Sequence, residues 1–184
     1  LAQLAMCEFP GKLRSATSIS AGSAVSDALH AELGTSRPGP ETWEKLMQNE
    51  PSGNFDADLP GWLESWIFLN GNRPFDEALA IEYTRVLYQG DPRNAEVAVN
   101  HVHAMGTVPD SLVRDLRGTS TPLLVLHGTD DPLVPIDNGE ATARLAGAGT
   151  FCPLDGAGHM FFDNETWDEI AGRVVRHLNG QSLL

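Results

Sequence analysis

Two short apolar segments in the last third of the chain each run directly into a polar loop. Residues 122–127 form a continuous apolar run, which is typical of a parallel strand buried on both faces. Residues 150–154 predict a second short strand. Helical patterns surround both segments, and strands that alternate with helices favour a parallel sheet. The sequence therefore predicts an α/β fold for this part of the chain.

Further elements of the same kind lie at both ends of the chain. Near the start, the patterns predict three elements, namely a helix over 1–9, a strand over 12–20 and a short helix over 26–33. A helix over 137–145 follows the first buried strand. A final helix, capped by Asp163 or Asn164, carries one apolar stripe, formed by Trp167, Ile170, Val174 and Leu178.

The middle of the chain, residues 35–109, has a different sequence pattern. Prolines interrupt it repeatedly, and it contains all but one of the tryptophans. Apolar side chains at helical spacing predict helices over 74–88 and 94–105. His101 and His103 would diverge on the second of these helices, so we predict no metal site there. We interpret this region as a helical insertion between two α/β parts.

The residues that could carry chemistry follow the two buried strands. The segment LHGTDDPLVP, residues 126–135, has two adjacent carboxylates after the first strand, and LDGAGHM, residues 154–160, has a histidine on a glycine-rich loop after the second. Because open parallel sheets form their sites at the carboxyl ends of the strands, we expect these side chains to meet. A carboxylate that orients an imidazole supplies the acid and the base of a hydrolytic triad. Two of the three triad members are therefore predicted here.

Charge and composition exclude several classes of function. The 12 Lys and Arg residues against 25 Asp and Glu give a net charge of −13, which argues against binding to a nucleic-acid backbone. No apolar run approaches the roughly 18 residues that span a bilayer, and no signal segment opens the chain. Two cysteines, Cys7 and Cys152, are too few for a disulfide framework. We therefore expect a soluble cytoplasmic protein whose partners include neither nucleic acid nor membrane.

Residues 121–178 resemble the C-terminal portion of an α/β-hydrolase. In that superfamily a strand is followed by glycine, one or two residues, aspartate and proline, and then by a GxGH loop and a terminal helix. Residues 1–20 resemble the helix after the nucleophile elbow and the strand that follows it. The resemblance implies three parts, which are hydrolase core over 1–34, a helical cap or lid over 35–109, and core with the acid and histidine loops over 110–184.

The same resemblance assigns roles to individual residues. It implies that Asp131 is the triad acid and His159 the base, with Asp130 as a solvated neighbour. Caps in this superfamily cover the active site. We therefore predict a set of side chains that contact an apolar substrate, namely Trp62, Trp66, Val134 and Met160. We predict no cofactor and no metal.

The sequence lacks the nucleophile motif that the resemblance requires, and Ser20 is the weaker of two alternatives for the nucleophile. There is no GxSxG motif. The nearest string, SISAG at 18–22, contains Ser20, but the helix and strand before it already fill the positions that follow an elbow. We therefore expect the nucleophile a few residues before Leu1, on an N-terminal half in the same or a separate chain. That half would also cover the free edge of the strand at 12–20, which is otherwise an aggregation hazard.

Several functions stay open from the sequence. A serine nucleophile predicts hydrolysis of an apolar small-molecule ester, and PFDEALAIEY, residues 74–83, is loosely similar to aclacinomycin methylesterase-like esterases. An aspartate nucleophile predicts an epoxide hydrolase-type enzyme with the same acid and base. A non-catalytic ligand-binding protein of this fold predicts a degraded acid or base, whereas both Asp131 and His159 are intact, which disfavours this alternative without excluding it. A fourth possibility is that the chain acts alone as an interaction module.

Overall fold

The computed structural model describes residues 1–9, 11–24, 26–48, 51–90 and 111–180. In chain order the elements are α1 (Ala2–Glu8), β1 (Ala16–Ile19), α2 (Asp27–Leu33), α3 (Pro40–Met47), α4 (Phe55–Asn70), α5 (Glu77–Gly90), α6 (Ser111–Arg117), β2 (Leu123–Gly128), α7 (Ile136–Leu145), β3 (Gly149–Leu154) and α8 (Asn164–Leu178). We refer to α3, α4 and α5 as the inserted helices.

The three strands form one parallel sheet in the order β1-β2-β3. β2 lies in the centre, with Leu123 paired to Ala16 on one side and to Gly149 on the other. Every residue of β2 is buried, as its continuous apolar sequence predicts. The α/β fold class predicted from the sequence is confirmed.

Helices cover both faces of this sheet. On one face, the strands and α8 form a cluster that includes Leu124, Leu126, Cys152, Leu154 and Ile170. On the other face, β2 packs with α1 and α7 in a cluster that includes Met6, Leu123, Val125, Ala143 and Ala146. This layered packing holds the carboxyl ends of β2 and β3 side by side, and the two loops that carry Asp131 and His159 begin there.

Two predicted elements, β1 and α5, begin three or more residues later in the structure than the sequence predicts. β1 covers only Ala16–Ile19, because a turn in which the Lys12 N–H donates to the Phe9 carbonyl (3.1 Å) takes up the first part of the predicted strand. α5 begins at Glu77, three residues later than predicted, because the Asp76 carboxylate caps the helix there. The helix predicted over 94–105 lies outside the described residues.

The sequence patterns do not predict α4, which has 16 residues. Pro60 lies inside it, and a proline usually breaks a helix. The helix nevertheless forms because Asn54 caps its start and because Trp66 and Leu69 pack into an apolar cluster with α5 and the loop after β3. No helix among the described residues, α4 included, is long and apolar enough to cross a membrane.

The final helix, α8, has its predicted cap but only part of its predicted stripe. The Asp163 carboxylate accepts from the Thr166 N–H at 2.7 Å. Ile170 is buried in the core cluster, and Val174 packs against the same cluster. The two ends of the stripe are exposed, by 48% for Trp167 and 59% for Leu178.

Candidate active site

Two loops meet at the carboxyl ends of β2 and β3. The acid loop, residues 129–135, follows β2, and the His loop, residues 155–162, follows β3. The Asp130 N–H donates to the Ala157 carbonyl at 3.0 Å and joins the two loops. Their proximity follows from the pairing of β2 with β3, as the rule for parallel sheets predicts.

Asp131 is buried, and both of its carboxylate oxygens have partners. Oδ1 accepts from the N–H groups of Leu133 (2.9 Å) and Val134 (2.8 Å), in a local turn of the kind that aspartate favours. Oδ2 accepts from Nδ1 of His159 at 2.9 Å. The structure therefore brings the predicted acid and the predicted base into direct contact.

The contact with Asp131 defines the tautomer of His159. A carboxylate oxygen can only accept, so Nδ1 carries the proton, and in the neutral ring Nε2 keeps its lone pair. The His159 side chain is 23% exposed. A partly exposed imidazole that is held by a buried carboxylate can take up and return a proton at Nε2, which is the chemistry of a general base.

A second histidine, His127, also faces Asp131, and no sequence motif predicts it. Its buried Nε2 lies 2.7 Å from the Val134 carbonyl oxygen and 3.5 Å from Oδ2 of Asp131. Both neighbours are acceptors, so Nε2 carries the proton. Gly139 leaves room for the other side of the ring, because a Cβ at Gly139 would lie 2.5 Å from His127 Nδ1. The sequence contains one signal that could have identified His127, namely a histidine within an otherwise apolar strand. A polar ring that is buried there needs a hydrogen-bond partner.

These contacts determine the ionisation of Asp131. Burial has the largest single effect and by itself raises the pKa of this carboxyl. Hydrogen bonds from His127 and His159, the charge of protonated His159 and the Val134 N–H act in the opposite direction, and together they lower the pKa to about 2. Asp131 is therefore a carboxylate near neutral pH, and it can stabilise an imidazolium at His159.

We expect Asp131 to make the stability of the fold depend on pH in the acid range. Its pKa is about 2 in the folded protein and about 3.9 in an unfolded chain. The ionised carboxyl therefore stabilises the fold above about pH 4, and this contribution of about 2 kcal/mol is lost as the pH falls towards 2. Urea unfolding of the wild type and of Asp131→Asn over this pH range measures it.

The difference between these two proteins isolates Asp131 from other acidic groups. Burial raises the pKa of Asp58, but hydrogen bonds from Tyr88 and Ser52 outweigh it and lower that pKa to about 2. Asp58 is present in both proteins, so its effect cancels. We expect the difference in unfolding free energy to shrink by about 2 kcal/mol between about pH 6 and about pH 2. A difference that stays constant over that range would contradict the assignment.

Ser20, the weaker alternative for a nucleophile, lies at the end of β1. Among the described residues it is the one non-glycine residue with a positive φ, at 48°. Its side chain is buried, and its hydroxyl has no hydrogen-bond partner in the described part of the chain. Ser20 therefore does not form the hydrogen bond with His159 that a serine–histidine pair requires. A nucleophile outside these residues stays a prediction.

Two of the residues predicted to contact the substrate lie in the loops themselves. The Val134 N–H donates to Asp131 at 2.8 Å. Met160 follows His159 directly, its N–H donates to the Leu69 carbonyl at 3.0 Å, and its side chain packs against the apolar cluster of the inserted helices. Both residues are neighbours of the Asp–His pair, and their contact with a substrate stays a prediction.

Trp62 and Trp66 lie in the core of the inserted helices. Their rings stack with centroids 5.0 Å apart, and their indole N–H groups donate to Tyr88 (3.0 Å) and Thr84 (2.9 Å). Trp66 also contacts Phe162 of the His loop, with ring centroids 5.6 Å apart. The aromatic cluster therefore reaches the His loop, and substrate binding by the two tryptophans stays a prediction.

The described residues offer acid–base chemistry at this edge of the sheet. In the described part of the chain, no group of three or more His, Cys, Asp or Glu side chains is placed to hold a metal ion. Asp131 and His159 pair with each other instead, at 2.9 Å. Such a pair needs a nucleophile and donors for an oxyanion to complete a hydrolytic site.

Solved structures with the same arrangement of elements match nearly the whole chain, whereas no model of a known protein family matches the sequence. An esterase from Rhodococcus sp. matches with a TM-score of 0.65 and 18% identity over 98% of this chain and 62% of its own. A 2-hydroxy-6-oxo-6-phenylhexa-2,4-dienoate hydrolase from Rhodococcus sp. matches with a TM-score of 0.60 and 19% identity over 96% and 59%. An α/β-hydrolase enzyme from a Medee basin deep-sea metagenome library matches with a TM-score of 0.59 and 15% identity over 100% and 62%.

The chain has the fold of the α/β-hydrolase superfamily, as the sequence resemblance predicts, and it corresponds to the C-terminal portion of that fold. It spans about three fifths of the length of the three structures named above. At these identities the likeness shows the fold and not the reaction. The narrower similarity to aclacinomycin methylesterase-like esterases stays a prediction, as do the domain boundaries at 34/35 and 109/110.

Proposed function

We propose that the protein is a hydrolase that transfers the acyl group of a small apolar ester to a serine, with Asp131 as the triad acid and His159 as the base. The observation that carries this proposal is the 2.9 Å contact between Nδ1 of His159 and the buried carboxylate of Asp131. The serine and the oxyanion donors would come from an N-terminal half outside residues 1–184. The esterase and hydrolases among the comparison structures support a reaction of this class.

In the acylation step, Nε2 of His159 takes the proton of the serine hydroxyl while the serine oxygen attacks the ester carbonyl carbon. The ring becomes an imidazolium, and the Asp131 carboxylate at 2.9 Å stabilises it. Backbone N–H groups of the N-terminal half would stabilise the oxyanion. When the intermediate collapses, the ester C–O bond breaks and His159 gives its proton to the leaving alcohol.

Deacylation uses the same two residues in the same order. His159 takes a proton from water, and the resulting hydroxide attacks the carbonyl carbon of the acyl-serine. The acyl–oxygen bond to serine then breaks, and His159 returns the proton to the serine. Asp131 needs to stay ionised through both steps, which a pKa of about 2 ensures at neutral pH.

The surroundings of the His loop favour an apolar substrate. Met160 and Phe162 of this loop pack with Trp62 and Trp66 of α4. Small-molecule sites are mostly apolar and contain few polar groups. The net charge of −13 also disfavours an anionic substrate, because like charges repel. An ester with apolar acyl and alcohol groups fits both observations.

A fluorophosphonate probe tests the reaction class. In the complete protein we expect one adduct, measured by intact mass, on a serine that peptide mapping locates outside residues 1–184. Fluorophosphonates react with serines that a neighbouring base activates. No adduct on folded protein would contradict a serine nucleophile and favour the aspartate nucleophile of an epoxide hydrolase-type enzyme.

Two variants act as controls for the labelling. Ser20→Ala should label at the wild-type rate, because the Ser20 hydroxyl is not bonded to His159. In His159→Gln the rate of labelling should fall by at least about 10²-fold, because the base that activates the serine is gone. An adduct mapped to Ser20 would contradict the placement of the nucleophile outside this chain.

A further inference from the structure

The C-terminal end of α4 is attached to the His loop by backbone hydrogen bonds on both sides of the His159 amide. The Leu69 carbonyl accepts from the N–H groups of His159 (2.7 Å) and Met160 (3.0 Å), and the Asn70 carbonyl accepts from the Gly158 N–H (2.9 Å). Carbonyls in the last turn of a helix have no partner within the helix. The free carbonyl groups at the end of α4 therefore accept hydrogen bonds from the backbone N–H groups of the loop that carries His159.

The side chain of Asn70 extends this attachment to the far end of the His loop. It is 2% exposed. Its Oδ1 accepts from the Phe162 N–H (2.9 Å), and its Nδ2 donates to the carbonyls of Arg73 (2.9 Å) and Pro74 (3.2 Å). An asparagine meets these needs, because its oxygen accepts while its nitrogen has two hydrogens to donate. The turn after α4 and the His loop are thus tied through one side chain.

Glycines let the two segments touch through their backbones. Gly71, at φ 75°, forms an antiparallel bridge with Ala157. A Cβ at Gly71 would lie 2.6 Å from the nitrogen of Gly158, and a Cβ at Gly158 would lie 2.5 Å from the nitrogen of Gly71. Because no side chain separates the segments, a shift of α4 moves the His loop with it.

We propose that Asn70 is a positioning residue that, from the inserted helix α4, holds His159 against Asp131. For its catalytic consequence this inference rests on the proposed function. The imidazole must stay 2.9 Å from the Asp131 carboxylate to act as an oriented base. A misplacement of about 1 Å lowers turnover about 10²-fold. Asn70 itself is buried, so its loss should affect kcat more than KM.

The test compares Asn70→Ala with Thr84→Val in the complete protein. Thr84 is the matched control, because its buried hydroxyl accepts from Trp66 Nε1 (2.9 Å) in the same inserted helices and makes no bond to the His loop. Proton NMR follows the Nδ1–H of His159, which is assigned by its disappearance in His159→Gln. We expect exchange of this proton with water to accelerate at least about 10-fold in Asn70→Ala and to stay unchanged in Thr84→Val.

The inference would be overturned if the Nδ1–H of His159 exchanged with water at the wild-type rate in Asn70→Ala. It would also be overturned if exchange accelerated equally in Thr84→Val. Should Asn70→Ala not fold, Asn70→Asp replaces it, because aspartate has nearly the same shape and keeps an acceptor for the Phe162 N–H but lacks the donors for Arg73 and Pro74. The same acceleration is expected there, and wild-type exchange in Asn70→Asp would overturn the inference in the same way.

Turnover of p-nitrophenyl butyrate gives the second readout. We expect kcat to fall about 10- to 100-fold in Asn70→Ala with KM within about 3-fold of wild type. An equal loss of kcat in Thr84→Val would indicate a structural role only and would overturn the inference. A wild type without any turnover or labelling would contradict the proposed function, while the exchange of the His159 proton would still decide whether Asn70 positions the ring.

Discussion

Replacement of His159 by alanine in the complete enzyme is expected to lower kcat/KM for p-nitrophenyl butyrate by about 10³- to 10⁴-fold. Alanine cannot take the proton of the nucleophile, so both acylation and deacylation lose their base. Asp131→Asn should lower kcat/KM by a similar factor, because an amide nitrogen beside Nδ1 favours the tautomer with the proton on Nε2. Release of p-nitrophenol at substrate concentrations well below KM measures both effects.

His30→Ala is the control for this experiment, because the His30 ring bonds to the Thr35 hydroxyl (2.8 Å) and to neither loop of the site. Its kcat/KM should stay near that of the wild type. His159→Ala should remain folded, because the ring is partly exposed and its removal opens no large cavity in the core. Circular dichroism checks this. Turnover that survives in both His159→Ala and Asp131→Asn would rule out the pair as acid and base.

The Asp–His contact is accessible from the sequence because each residue follows a strand that the sequence marks clearly. Residues 122–126 are apolar without interruption, and β2 (Leu123–Gly128), which contains all of them except Pro122, is buried throughout. Neighbouring parallel strands bring their carboxyl ends together, so the loops after them must meet. The only further requirement is that β2 and β3 be adjacent, and consecutive strands usually are.

The attachment of α4 to the His loop cannot be predicted from the sequence in the same way. The string Asn-Gly-Asn at 70–72 is typical of a turn. It does not identify what the turn touches, because the Asn70 side chain bonds to Phe162, 92 residues further along the chain. A partner at that distance depends on how the inserted helices pack on the sheet, which no local pattern records.

The helix that makes this attachment, α4, is itself not predicted, because a proline lies within its sequence. Pro60 argues against a helix over this segment, and the intrinsic cost of a proline in a helix interior is about 3 kcal/mol. Packing of Trp66 and Leu69 outweighs it in the structure. Tertiary contacts therefore decide both that α4 exists and where its last turn lies, and the position of His159 depends on that turn.

Gly158→Ala is expected to lower the free energy of unfolding by about 3 kcal/mol. The added Cβ would overlap the Leu69 carbonyl oxygen and would lie 2.5 Å from the nitrogen of Gly71 and 2.6 Å from the carbonyl carbon of Asn70. These are backbone atoms at the end of a helix, and they cannot rotate away as the end of a side chain can. The φ of Gly158 is not positive, so alanine adopts its backbone conformation readily and the whole effect is steric. Urea unfolding at neutral pH measures it.

Gly156→Ala, two residues earlier in the same loop, separates steric overlap from backbone strain. Gly156 has a φ of 70°, which disfavours alanine, but no atom lies within 4 Å of an added Cβ. Gly156→Ala should lower the free energy of unfolding by about 1 kcal/mol. A larger loss in Gly158→Ala would support direct backbone packing between α4 and the His loop. An equal or smaller loss would mean that the loop moves away from α4 at little cost, and Asn70 could then not hold His159 against Asp131.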